Sequence, residues 1–196
     1  SPLFIRETAI FAIMRQLATI ILTLTFYLSS AQVKQDTTTK CKIEIYIVNN
    51  VQPEPTKECR YCFWPTAKNL SDSTFIKDSE IIGYEISNDL HNILLSQSAL
   101  QRLRMLNKSS SSSNSFTSRP FAVVVNGQPI YGGWFRSDYL DTPVDWNVIP
   151  TPFDRDNNGM LSIYNGYMSG KIPDKYGDPR NSNLLIDCLK ISKRLK

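Results

Sequence analysis

The sequence predicts an α+β protein, a single domain in which two helices cover a mixed or antiparallel sheet of about five to six strands. Three observations support this class. Of the 196 residues, 41% are hydrophobic and 20% are charged, which suffices for a packed core. Residues 120–135 place β-branched and aromatic residues on both sides of Asn126-Gly127, a pattern typical of a β-hairpin. Residues 96–106 and 182–195 instead place leucines at helical spacing.

The N-terminal region has the three parts of a secretory signal peptide over residues 14–31. Met14-Arg15-Gln16 gives a cationic start, residues 17–28 an apolar run, and Ser29-Ser30-Ala31 small residues for a peptidase. We expect cleavage after Ala31, with residues 1–13 an upstream extension and 32–40 a flexible leader. The alternative is a membrane anchor, although the run is shorter than the ~20 residues of a spanning helix.

The signal peptide predicts a periplasmic or secreted protein that uses a bacterial export signal. Only the precursor would contact the membrane, through the signal segment. Residues 41–196 would then form the single α+β domain.

The first half of this domain begins with a strand over residues 42–48, where isoleucines alternate with polar residues. Residues 49–58 contain two prolines and predict a loop, and the polar stretch that runs on to Asp78 predicts no strand. A second strand is expected over residues 81–86 and a short third one over 93–95. Ser96 can then cap a helix that runs to about Leu106.

The second half begins with a serine-rich loop over residues 108–119, followed by the hairpin. A two-residue type I′ turn at Asn126-Gly127 pairs Val125 with Gln128, Val124 with Pro129 and Val123 with Ile130. Because proline lacks an amide hydrogen, the second strand is expected to be an edge or to be bulged at Pro129. Further strands are expected over residues 146–149 and 160–167.

A closing helix is expected to begin at about Ser182. Its predicted apolar stripe consists of Leu184, Cys188, Ile191 and Leu195, with Leu185 and Leu189 beside it.

Four cysteines in an exported chain suggest two disulfides, for which three connectivities exist. Cys41 shares the parity of the inward-facing isoleucines of the first strand, and Cys188 lies on the apolar stripe of the last helix. These positions favour a Cys41–Cys188 disulfide, which leaves Cys59 to pair with Cys62.

Residues 81–136 contain a strand, a Ser-capped helix and the hairpin Phe-Ala-Val-Val-Val-Asn-Gly. This segment resembles the strand-helix-hairpin unit in the periplasmic head of the SecD translocation component. The resemblance covers under a third of the chain, and it implies a fold for that segment only.

Cys59-Arg-Tyr-Cys62 looks like the Cys-x-Tyr-Cys motif of glutaredoxins and of some periplasmic disulfide isomerases. That resemblance implies a thiol-disulfide oxidoreductase in which Cys59 attacks and Cys62 resolves. The alternative is a structural disulfide that closes a proline-rich loop. In those families the motif begins a helix, whereas Pro65 would keep any helix short here, which favours this alternative. A zinc site of all four thiols would lack the usual paired spacing.

The segment 154–165 matches an EF-hand calcium loop at several positions. The predicted ligands of a weak calcium site are Asp154, Asp156, Asn158, Met160 and Asn165. Asn165 stands where a bidentate glutamate is usual, and a strand follows the loop instead of a helix. The alternative is a plain hairpin turn, and no other cofactor is expected.

A hydrolase site would have to use His91, the only histidine, but the sequence contains no nucleophile-elbow motif to accompany it. Tyr131, Trp134, Phe135, Tyr139 and Trp146 could line a binding surface or could equally belong to the core. The net charge of +4 is spread along the chain, so nucleic acid is not an expected partner. The sequence therefore favours an exported, non-catalytic binding or interaction protein with an unknown extracytoplasmic protein or ligand as its partner; the thiol-disulfide oxidoreductase is the alternative.

Overall fold

The computed structural model describes residues 41–51, 59–87, 90–109, 118–137, 142–151, 153, 159–167 and 170–196. Two helices lie in this part of the chain, α1 (Gln97–Ser109) and α2 (Asn183–Ile191). Its eight strands are β1 (Ile43–Val48), β2 (Leu70–Ile76), β3 (Ile81–Ser87), β4 (Leu90–Leu95), β5 (Pro120–Val125), β6 (Gln128–Ser137), β7 (Val144–Thr151) and β8 (Met160–Tyr167).

The strands form one mixed sheet in the order β2-β1-β5-β6-β7-β8-β4-β3. β6 and β7 are parallel, and the other neighbouring strands are antiparallel. The α+β class with two helices is confirmed, but the sheet has eight strands and the prediction of five to six is wrong. The polar segment before Asp78 is strand β2. The strand was not recognised from the sequence because Ser71, Asp72 and Ser73 are polar, and an edge strand does not need alternating apolar residues.

The hairpin of β5 and β6 has the predicted turn, since Asn126 and Gly127 have φ angles of 51° and 81°. Val125 pairs with Gln128 and Val124 pairs with Pro129, as predicted. Beyond them the register shifts, so that Val123 faces Tyr131 and not Ile130. A bulge beside Pro129 accounts for this correction, because the proline cannot donate to the ladder. β6 is not an edge, since it lies between β5 and β7.

The two faces of the sheet form two separate apolar cores. We call the face that packs against the helices the inner face and the opposite one the outer face. In β5, Phe121, Val123 and Val125 belong to the inner core, whereas Ala122 and Val124 belong to the outer core. This alternation is the period of two that a strand buried on both faces must show. The outer core is covered by the loop that contains Cys59 and Cys62 and by residues near Ile172.

Helix α2 is rotated relative to its predicted stripe. Leu185, Cys188 and Leu189 are buried against the inner core. Leu184 and Ile191, expected to be buried, are 39% and 65% exposed. Two overlapping apolar stripes fit the same helix, and Cys188 belongs to both of them. The buried stripe is the one that Cys188 forms with Leu185 and Leu189.

The sheet must curl, because its two edge strands are consecutive in the chain. β2 ends at Ile76 and β3 begins at Ile81. The five Cα-to-Cα steps from Ile76 to Ile81 span at most about 18 Å, whereas a flat sheet would separate its first and eighth strands by roughly 34 Å. The curl brings the Tyr84 side chain of β3 next to Tyr131 of β6, four strands away in the sheet order.

The start of strand β1 and the C-terminal segment are fixed at the connection between the edge strands. Asp78 Oδ1 accepts hydrogen bonds from the Ile43 amide and from Arg194 Nη1, both at 2.7 Å. Arg194 Nη2 donates to the Cys41 carbonyl at 2.9 Å. A disulfide joins Cys41 to Cys188, whose Cα atoms lie 5.4 Å apart. The Cys41–Cys188 pairing is the one that the positions in strand and helix predicted.

Candidate ligand-binding surface

The loop of residues 59–64 covers the outer face of the sheet and is fixed at three points. A disulfide joins Cys59 to Cys62, and both residues are buried. The Asp145 carboxylate of β7 accepts the backbone amides of Arg60 at 2.7 Å and Tyr61 at 3.0 Å. The Trp134 indole of β6 donates to the Tyr61 carbonyl at 2.7 Å. The loop is therefore a rigid part of the outer face.

A glycine in β6 makes room for the next residue of this loop. A Cβ atom at Gly132 would lie 2.5 Å from the Phe63 ring, so only glycine allows the ring to rest on the strand. Phe63 then meets the Trp134 ring edge to face, with ring centroids 5.2 Å apart. This contact is the kind that adds to simple area burial.

Six aromatic side chains meet here, and we call them the outer aromatic surface: Tyr61, Phe63, Trp64, Trp134, Trp146 and Tyr176. Trp146 is fully buried at its centre. Trp64 and Tyr176 contact the Trp146 ring edge to face, with centroid separations of 5.3 Å and 5.9 Å. Trp64 is 52% exposed, which is unusual for so large a side chain on a rigid loop. Among the described residues, the indole nitrogen of Trp146 has no hydrogen-bond partner.

Two exposed cations lie over rings of this surface. The Arg60 guanidinium is 5.7 Å from the centroid of Tyr61, and the Lys175 ammonium is 4.9 Å from the centroid of Tyr176. Both distances are within the range of a cation–π contact. The segment that carries Lys175 is anchored to β8, since the amide of Ile172 donates to Asn165 Oδ1 at 3.1 Å.

The structure separates the aromatic residues that the sequence grouped together. Tyr131 and Phe135 lie in the inner core, and Trp134 and Trp146 belong to the outer core, with Trp134 half-buried. Tyr139 lies outside the described residues. The exposed Trp64 and the half-buried Tyr61 and Tyr176 were not singled out. The position of Trp64 two residues after a disulfide cysteine is the signal that could have identified it.

The surroundings of Cys59 and Cys62 differ from those of a redox motif. Residues 59–66 form no helix, and a short 3₁₀ turn begins only at Ala67. A redox motif uses helix N-terminal amides to stabilise a thiolate anion, but here Asp145 occupies the amides of Arg60 and Tyr61. All four cysteines are in disulfides. The arrangement therefore favours a structural disulfide over an exchanging dithiol.

A second polar cluster is enclosed within the inner core. The Tyr84 hydroxyl is 2.9 Å from His91 Nδ1, and the Tyr131 hydroxyl is its buried neighbour. Burial raises the pKa of both tyrosines, and burial together with Arg180 lowers the pKa of His91 to about 4. These three side chains are thus neutral at pH 7.

Arg180 supplies the one cation of this cluster. It is fully buried, donates to the Ile163 carbonyl at 2.7 Å and forms a 2.6 Å ion pair with Asp178. Burial acts to raise the pKa of Asp178, but the hydrogen bonds and charge of Arg180 lower it below its ordinary value of 3.8. Since buried charges require pairing, this cluster has a structural explanation.

The predicted calcium site is only partly described. Asp154, Asp156 and Asn158 lie outside the described residues, so the site stays a prediction. Met160 begins strand β8, and the side-chain oxygen of Asn165 already accepts the Ile172 amide. Within the described residues, no group of three or more His, Cys, Asp or Glu side chains is arranged to hold a metal ion.

Comparison with known proteins gives no assignment, since neither a family model nor a curated protein matches the chain. Two disulfides indicate an oxidising, extracytoplasmic environment. Neither described helix has the length and apolar character needed to cross a membrane.

Proposed function

We propose that this chain is an exported, non-catalytic binding domain that recognises an extracytoplasmic partner through the outer aromatic surface. The observation that carries the proposal is Trp64, which is 52% exposed although its loop is fixed by a disulfide and by Asp145. Tryptophan, tyrosine and arginine are the residues that dominate binding energy at interfaces. A rigid loop presents them with little loss of conformational entropy on binding.

Export is the second part of the proposal, and it rests on the apolar run of residues 17–28 and on the two disulfides. Intact-mass measurement of protein recovered from the exporting cell tests it. We expect the mass of a chain that begins at Gln32, less four hydrogens because of the two disulfides. A product that keeps residues 17–28, or one with four free thiols, would contradict the proposal.

Photo-crosslinking in the exporting cell tests the binding surface. The crosslinking residue p-benzoylphenylalanine is placed at position 64 and, as a matched control, at position 105. Met105 is 61% exposed and lies on helix α1, which packs against the inner face of the sheet. We expect light-dependent adducts from position 64 that decrease when Tyr176→Ala is added. Equal yields from both positions, or none from position 64, would contradict the proposal.

The thiol-disulfide oxidoreductase is the competing function, and it makes a different prediction. An exchanging pair would be reduced by a mild dithiol and would then reduce a disulfide substrate. For the binding domain we expect the Cys59–Cys62 disulfide to resist mild reductant in the folded protein, because both residues are buried. Thiol titration under native conditions separates the two functions.

A further inference from the structure

We propose that the ligand of the outer aromatic surface is an acidic polysaccharide, a chain of pyranose rings that carry carboxylates. This inference rests on the proposed binding function and adds the chemical class of the ligand. Two features of the surface support it: aromatic side chains that reach solvent, and two cations, one on each of the two loops.

The rings supply the first feature. A pyranose has one face of C–H groups and a rim of hydroxyls, so a flat aromatic side chain can cover the apolar face while the rim stays in water. Trp64 is 52% exposed and Tyr176 is half-buried, and their contacts with the buried Trp146 hold both side chains in place. The binding gain from such stacking is therefore not reduced by ordering mobile side chains.

The cations supply the second feature. Arg60 lies over Tyr61 and Lys175 over Tyr176, so a positive charge accompanies each of the two loops that form the surface. The carboxylate of Asp145 beneath the loop is occupied by two backbone amides. A ligand that combines apolar rings with repeated negative charges matches this arrangement.

The small size of the surface favours a linear chain over a folded partner. Stable protein interfaces bury about 800 Å² on each side with 20–30 residues, whereas this surface consists of six aromatic side chains and two cations, several of them half-buried.

Polygalacturonate is the probe, and its methyl-esterified form is the control, because esterification removes the charge and keeps the rings. We expect titration calorimetry of the mature protein to show binding of polygalacturonate that weakens as salt increases. Trp64→Ala and the double variant Arg60→Gln/Lys175→Gln should each weaken it about tenfold, equivalent to about 1.4 kcal/mol. Trp64→Phe, which keeps a ring, and Met105→Ala should bind as the parent does.

The other outcomes separate the inference from the proposed function. Equal binding of the methyl ester would overturn the role of the carboxylates, and equal or tighter binding of polyglutamate would overturn the polysaccharide. Absence of polygalacturonate binding combined with crosslinking from position 64 would overturn this inference alone. Absence of both would overturn the proposed function as well. Thermal melting of each variant confirms that it is folded.

Discussion

His91 is the residue whose environment most clearly determines a measurable property. Its folded pKa of about 4 lies below the ordinary value of 6.5, so the unfolded chain binds more protons between these two values. The stability that neutral His91 contributes is therefore present above pH 6.5 and is lost as the pH falls towards 4. We expect the free energy of unfolding in urea to be about 2 kcal/mol lower at pH 5 than at pH 7.5.

The assignment to His91 is unambiguous because it is the only histidine. Burial acts to raise the pKa values of Glu80 and Asp178, but their contacts with Arg102 and Arg180 lower them below 4.5 and 3.8, so their contributions are lost mainly at pH values below those compared here. His91→Gln, which can still hydrogen-bond to Tyr84, should remove most of the pH dependence. An unchanged pH dependence in this variant would contradict the explanation.

Asp145 is the residue on which the geometry of the outer aromatic surface depends. An asparagine there can accept with only one oxygen and brings an extra donor, so Asp145→Asn should release one of the two loop amides at a cost of about 1–3 kcal/mol. Hydrogen exchange of the Arg60 and Tyr61 amides should become faster. Asp174→Asn is the control, because that carboxylate is 98% exposed and forms an ion pair with the exposed Lys171. Equal effects of the two substitutions would argue against the role of Asp145.

Among the elements, helix α2 shows why periodicity alone was insufficient. Its sequence offers two overlapping apolar stripes, and only packing against the sheet selects the one with Leu185 and Leu189. Leu185→Ala should cost about 2–5 kcal/mol, because it removes a fully buried side chain. Leu184→Ala, a matched change at a position 39% exposed, should cost under about 1 kcal/mol. Urea unfolding of both variants decides the rotation of the helix, and the reverse order would restore the predicted stripe.

Elements with a strong local signal were predictable from the sequence, and elements defined by their neighbours were not. β8 was predicted with its observed bounds, because apolar residues alternate along it. β2 was missed, since an edge strand exists only through its pairing with β1. The same reason explains the site: the pattern of Cys59-Arg-Tyr-Cys62 indicated a fixed loop, but nothing local shows that Asp145, 83 residues after Cys62, holds it.

At the scale of the whole molecule, the two disulfides have different tasks. Cys41–Cys188 closes a separation of 147 residues and joins the residues just before β1 to helix α2, whereas Cys59–Cys62 closes a separation of 3. In the chain-entropy model these loops correspond to about 5 and under about 2 kcal/mol. The first disulfide therefore stabilises the fold, and the second holds the shape of one loop.

Paired double variants test this division. Cys41→Ala/Cys188→Ala should lower the free energy of unfolding by several kcal/mol more than Cys59→Ala/Cys62→Ala, because the long loop restricts the unfolded chain far more. The opposite order is expected for the surface: removing Cys59–Cys62 should reduce crosslinking from position 64, while removing Cys41–Cys188 should leave it unchanged in the protein that is still folded. Equal losses of stability, or loss of crosslinking in both variants, would mean that fold and surface are not held separately. If the two effects do separate, the outer aromatic surface is maintained by a disulfide that global stability does not require, as the proposed binding function predicts.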